Sequence, residues 1–154
     1  MTDRDVAGVP LPPPLIFVLG LVAGALMELV RSTSVPPWPV TVPVVVLGAG
    51  AWLWLDGESS IRFTRAGTPV IPFKPTTALV TDGAYRFTRN PIYLGMAALY
   101  VALAVGLGIL WSFLFLPLVL LAVDRLVIVR EEAYLEKKFG QEYVDFTRRV
   151  RRWL

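Results

Sequence analysis

The chain has 154 residues, of which 55% are hydrophobic and 18% charged, with a mean hydropathy of +0.61, too apolar for an ordinary soluble domain and suited to a membrane. It has no cysteine and no histidine, which excludes disulfides, thiolate nucleophiles, imidazole bases and the commonest metal ligands, so no metal site is expected. The net charge of +3 resides in clustered arginines that suit a lipid surface, and nucleic acid is not expected as a partner.

A helix needs about 20 apolar residues to cross a bilayer, and four stretches approach that length. The first, residues 15–30, follows the helix-starting "PLPPP" and reads as a retained span, because no small-residue cleavage site precedes a soluble domain. Its Gly20 and Gly24 form a small-residue face for close helix packing, either within the chain or in a homo-oligomer. Glu28 stands three residues before Arg31, a spacing that predicts an ion pair on one helix face. The second span, residues 40–55, follows "PPWP" and is predicted to close at Asp56-Gly57, a turn signal. Trp38, Trp52, Trp54 and Trp111 fit interfacial anchors.

Residues 57–90 then read as a long loop, of the length that is often functional. It contains the first of two "RFTR" tetrapeptides (62–65), the extended "GTPVIPFKP", a tight turn at Asp82-Gly83 and the second "RFTR" (86–89). The first tetrapeptide is sufficiently explained as a basic flank. The third and fourth spans, residues 91–108 and 111–129, are separated so briefly that they form an antiparallel hairpin, with Pro117 expected to kink the fourth. Residues 130–154 are predicted to form two cytoplasmic helices. The first carries Lys137 and Lys138 in its last turn and ends at Gly140. In the second, Tyr143, Phe146 and Val150 make an apolar stripe opposite arginines, as in a helix lying on headgroups.

Arg62, Arg65, Lys74, Arg86 and Arg89 lie between spans two and three, and Lys137, Lys138, Arg148, Arg149, Arg151 and Arg152 follow span four; Arg31 stands nearly alone on the other side. This distribution predicts four crossings with both termini and the central loop in the cytoplasm, in an inner or cytoplasmic membrane. The expected fold class is therefore all-α, a single membrane domain whose loop and C-terminal helices close one pocket.

Two features combine structural and chemical meanings. Asn90-Pro91 is a helix start, with an N-capping amide and a proline at the first position; the same helix N-terminus also offers free N–H groups to a carboxylate or phosphate. Glu131-Glu132 reads either as a solvated pair near Arg130 or as a carboxylate turned toward a ligand. The two side chains diverge by about 100°, so only one faces a given pocket squarely.

Taken together, "TALVTDGAYRFTRNPIYLG", a helical hairpin and "REEAYLEKKFGQEYVDFTRRV" resemble the isoprenylcysteine carboxyl methyltransferase family and its bacterial relatives, a group related to phospholipid methyltransferases. The resemblance covers about residues 70 to 152 and implies an integral membrane methyltransferase that binds S-adenosylmethionine. Carried over by motif, cofactor contacts fall on Thr77, Ala78, Leu79, Val80, Tyr85, Asn90, Pro91, Ile92, Tyr93 and Glu131, with Arg89 and Glu132 beside them. Two positions depart from the family pattern: Asn90 stands where relatives usually have histidine, and Val127 where the eukaryotic enzymes have an arginine thought to engage the substrate carboxylate. Arg125 and Arg130 are the alternatives for that substrate contact.

The resulting functional expectation is methyl transfer to a lipophilic, membrane-embedded acceptor, with a carboxylate or an already ionised thiol favoured because no residue stands out as a general base. Two other readings are an NADPH-dependent reductase akin to sterol reductases and a non-enzymatic membrane scaffold.

Overall fold

The structure, a computed structural model, describes residues 5–154. It is all-helical, and no strand occurs among the described residues. The helices are α1 (Pro13–Val30), α2 (Trp38–Arg65), α3 (Pro91–Gly106), α4 (Ser112–Val123), α5 (Val129–Phe139) and α6 (Gln141–Arg149). A 3-10 turn (Gly83–Arg86) precedes α3, and a π-helical turn (Asp124–Ile128) joins α4 to α5 without a break. Three of these stretches are long and apolar enough to cross a membrane: Pro13–Val30, Trp38–Arg65 and the continuous Ser112–Phe139. The 16-residue α3 is shorter, about 24 Å against a hydrocarbon core of about 30 Å.

The valine-rich start of α2 would suit a strand in water, but lipid requires every backbone group to be satisfied within its own segment, and helix does this. α2 and α3 run antiparallel at close range through glycines on both. A Cβ on Gly48 would stand 2.7 Å from the Ala98 carbonyl oxygen, one on Gly106 3.0 Å from Val45, and one on Gly95 3.3 Å from Leu55 Cβ. α1 packs on α4 in the same manner. A Cβ on Gly24 would lie 2.6 Å from the backbone of Ser112, and one on Gly20 would strike Val119. The Gly20/Gly24 face is thus filled by this chain's own α4 and Tyr100, the internal alternative of the two that the sequence left open. Between the layers Phe17, Tyr100, Val119, Val123, Val127 and Ile128 form the main core, and the Tyr100 hydroxyl donates to the Ser112 carbonyl at 2.8 Å.

Several local expectations are corrected. Asp56-Gly57 does not end α2, which continues to Arg65 because Glu58 and Arg62 pair across one turn at 2.8 Å and Arg62 and Arg65 complement the helix dipole. The stop comes at Gly67, whose φ of +65° allows Thr68 N–H to reach Phe63 O at 3.0 Å and Gly67 N–H to reach Thr64 O at 3.1 Å, a Schellman closure. The first RFTR is therefore helical and the loop starts at residue 66. Pro117 lies inside α4, and a π-helical turn, not anticipated, follows at Asp124–Ile128. Glu28 does not pair with Arg31; its carboxylate accepts from the backbone N–H and, at 2.7 Å, the hydroxyl of Thr33. The apolar stripe of α6 does not lie on headgroups. Tyr143, Phe146 and Val150 are buried against Val80 and Tyr85 in a second core.

Candidate functional site

α2 and the continuous α4–α5 helix each span 28 residues, about 42 Å, and so project beyond the hydrocarbon at the end where α3 begins. The loop, the 3-10 turn and α6 fill the space between these projections. The pocket they enclose has about 840 Å³ of space between its atoms, part of it open solvent.

Its floor is the start of α3. Pro91 occupies the first position, the backbone N–H of Asn90 is satisfied by Thr88 Oγ1 at 3.2 Å, and the first intrahelical bond runs from Leu94 to Asn90 at 3.1 Å. The N–H groups of Ile92 and Tyr93 therefore remain without intrahelical partners, as at any helix start. Asn90 itself makes no side-chain cap. Its amide instead donates to the Arg152 carbonyl at 2.9 Å, beside Thr88 Oγ1 at 3.1 Å on the same oxygen and Arg89 N–H on the Arg151 carbonyl at 2.9 Å. The C-terminal segment is thereby stitched to the RFTRN loop.

One wall is charged. The π-helical turn and first turn of α5 bring Asp124, Glu131 and Glu132 inward, and the two glutamates use their divergence to meet different partners. Glu132 is held by Arg89 at 2.9 Å and Arg152 at 2.5 Å, and Arg152 also reaches Asp124 at 3.1 Å. Among the described residues, Glu131 receives only the Tyr93 hydroxyl, 2.9 Å from each of its oxygens. A phenol has one proton to donate, so Glu131 retains capacity for another donor. Arg89 Nε is buried with no hydrogen-bond partner. An unpaired guanidinium donor and an under-used carboxylate thus border one cavity, an arrangement that costs stability unless a ligand completes it.

The opposite wall is apolar and aromatic: Phe63, Leu79, Val80, Tyr85, Tyr143 and Phe146. Burial pushes the Tyr85 phenol well above its ordinary value, and Tyr143 is pushed up to about 12, by burial first and Glu132 second. Both are neutral surfaces at physiological pH.

Of the residues expected from sequence, Ala78, Leu79, Val80, Tyr85, Arg89, Asn90, Ile92, Tyr93, Glu131 and Glu132 border the cavity. Thr77 does not. Its backbone N–H donates to Thr68 Oγ1 at 2.8 Å and its hydroxyl to Gly67 O at 2.9 Å, closing the base of the loop. Pro91 is buried in the helix start outside the lining. Arg125 and Arg130 also stand elsewhere: Arg125, its side chain 71% exposed, faces Asp124 at 3.6 Å, and Arg130 reaches the Gly8 carbonyl at 3.3 Å. Val127 is packed in the main core. Sequence reasoning missed Arg152 and the aromatic wall of α6. The i, i+3 spacing of Tyr143 and Phe146 was visible, but which surface they faced was not.

The sequence profile of the phospholipid methyltransferase family matches residues 39–142, from the start of α2 to the start of α6. An uncharacterized protein of Haemophilus influenzae is 38% identical over 63 residues, 41% of this chain and 100% of that protein. The protein-S-isoprenylcysteine O-methyltransferase of Schizosaccharomyces pombe is 38% identical over 72 residues, 47% of this chain and 30% of that enzyme; the match covers less than a third of its length. No solved structure matches significantly. The profile takes in nearly every residue that builds the pocket, and the chain belongs to the phospholipid methyltransferase family of integral membrane methyltransferases.

Proposed function

We propose that the protein transfers a methyl group from S-adenosylmethionine to a lipophilic, membrane-borne acceptor. The observation that carries this reading is the pairing, across one cavity, of the unpartnered Arg89 Nε with the under-used Glu131 carboxylate. An amino-acid zwitterion needs this polarity. Arg89 and the free N–H groups of Ile92 and Tyr93 would hold its carboxylate, and Glu131 its ammonium. Leu79, Val80, Tyr85 and Phe146 offer an apolar slot for a nucleoside, and the tyrosine faces suit a sulfonium.

The cofactor supplies an activated methyl on a positively charged sulfur. The protein's part is to align acceptor and methyl in line, exclude water and keep the tyrosines neutral, so no protein nucleophile is required. A carboxylate or a thiol fits as acceptor. In this reading residues 5–154 act as one membrane domain, with the loop and α6 closing the pocket on the cytoplasmic side and both termini there, where the arginines and lysines concentrate.

Calorimetric titration of the detergent-purified protein with S-adenosylhomocysteine tests this. Wild type is expected to bind saturably and Glu131→Ala to lose most of that affinity. Absence of binding by folded wild type, or undiminished binding by the variant, overturns the site.

A further inference from the structure

α2 carries a buried serine and a half-buried aspartate that this pocket does not use. Asp56 and Ser59 are three residues apart and share a helix face. Phe63 continues that face into the pocket wall, where its ring meets Tyr85 at 5.8 Å between centroids. Ser59 is 0% exposed, and neither its Oγ nor Asp56 Oδ2 has a hydrogen-bond partner. Gly95 of α3 stands opposite, and a Cβ there would lie 3.1 Å from Asp56 Oδ2. Gly95 is about 6 Å further along α3 than the helix start that floors the pocket, so the Asp56–Ser59 pair sits on the membrane side of the cofactor cavity. A lipophilic acceptor approaches from that side.

Tyr85 connects the two regions. Its hydroxyl faces Ser59 without completing a hydrogen bond to it, and Glu131, Asp56 and Glu58 all act on it electrostatically. The titratable groups around the pair are Glu58, which is engaged by Arg62, Tyr85 from the 3-10 turn, and Glu131 beyond Tyr93. A half-buried carboxylate at membrane depth with one oxygen buried and lacking a donor calls for a functional explanation.

We propose that Asp56, acting through Ser59 and Tyr85, takes up the proton that the methyl acceptor releases, and that this acceptor is a membrane-borne thiol. The inference rests on the S-adenosylmethionine reading above. As the thiol sulfur forms its bond to the methyl carbon, the bond from that carbon to the sulfonium sulfur breaks and leaves a neutral thioether. The thiol proton moves to the Tyr85 oxygen while the phenol proton passes by way of the Ser59 hydroxyl to the Asp56 carboxylate, which later releases it to water. A carboxylate acceptor arrives already ionised and gives Asp56 nothing to accept. A thiol, with a pKa of about 8.5, loses its proton to a carboxylate far more readily than an alcohol does.

The test uses hexadecanethiol and hexadecanoate as probe acceptors in detergent–lipid micelles, with wild type, Asp56→Asn and Asp56→Glu compared across pH, and S-adenosylhomocysteine titrated into each. Expected are unchanged S-adenosylhomocysteine binding in all three and a fall in kcat on the thiol of about a hundredfold near pH 7 for Asp56→Asn. That loss should shrink as pH rises through the thiol's own ionisation, and Asp56→Glu should restore much of the rate. A loss independent of pH, an Asp56→Glu variant as impaired as Asp56→Asn, loss of S-adenosylhomocysteine binding in Asp56→Asn, or faster wild-type turnover of hexadecanoate each overturns the proposal. Wild type that binds no S-adenosylhomocysteine overturns the methyltransferase reading itself, and the proposal with it.

Discussion

The side-chain amide of Asn90 donates to the backbone carbonyl of Arg152 at 2.9 Å, joining residues 62 positions apart where a local helix cap was the obvious expectation. The capping amide is thus spent on holding the C-terminal segment against the floor of the pocket. Asn90 is 8% exposed, so its loss leaves a buried carbonyl with one donor fewer. Asn90→Ala is expected to cost about 1 to 3 kcal/mol and to loosen the tail, seen as a lower thermal midpoint together with faster hydrogen exchange in residues 150–154. Unchanged exchange there would show that the tail is held by other contacts.

The two adjacent glutamates should separate stability from binding. Glu132 compensates Arg89 and Arg152 at once, and its removal leaves a largely buried guanidinium uncompensated. Glu132→Ala is expected to lose about 3 kcal/mol of stability. Glu131→Gln keeps a partner for Tyr93 and should leave the melting temperature nearly unchanged, while S-adenosylhomocysteine binds at least tenfold more weakly, about 1.4 kcal/mol. Thermal shift and calorimetry on both variants check the pair; equal destabilisation would contradict the division.

Gly24→Ala has no room. The new methyl would lie 2.6 Å from the backbone of Ser112, which cannot yield as a flexible side chain would. α1 and α4 must part, and a loss of more than about 1 kcal/mol is expected from overpacking. Gly50→Ala, with nothing near its Cβ position, is the matched control and should be neutral or slightly stabilising, since alanine favours helix.

Alkaline titration should expose the α6 contact. Tyr143 is raised from 10.0 to about 12, so the folded protein prefers the neutral phenol. The stability contributed by that preference is complete below pH 10, where the unfolded phenol starts to ionise, and falls away as pH rises from about 10 toward 12, by about 2 to 3 kcal/mol in all. Tyr143→Phe should flatten this part of the stability profile measured by thermal melts. A profile unchanged in the variant would place the loss elsewhere.

Membrane topology is accessible through α2, whose ends are about 42 Å apart. Single cysteines at Ser34 and Thr64 are expected to react with impermeant reagents from opposite sides of intact membrane vesicles. Reaction of both from one side would exclude α2 as a crossing.

Much of the fold was legible because its signals are local. Apolar runs of sufficient length, the prolines ahead of α1 and α2, and Asn90-Pro91 at the head of α3 act within a turn or two, and lipid leaves a helix as the means of satisfying an apolar segment's backbone. The end of α2 was misread for the same reason. Asp56-Gly57 is a turn signal in isolation, but Glu58–Arg62 pairing and the packing of α2 on α3 carry the helix past it. Much of the lining of the pocket was likewise visible as a motif, whereas the structural task of Thr77 at the base of the loop was not.

The sequence by itself determined that this chain is a set of apolar helices with its polar groups gathered toward one end, because composition and periodicity act through the solvent each residue prefers. The tertiary structure decided which polar groups meet. Arg152 closes on Glu132 and Asp124 across 20 and 28 residues, the stripe of α6 turns inward onto Tyr85, and Gly20 and Gly24 meet α4. An ion pair or a packed face needs both partners fixed in space, and helix crossing and chain reversal supply that second coordinate.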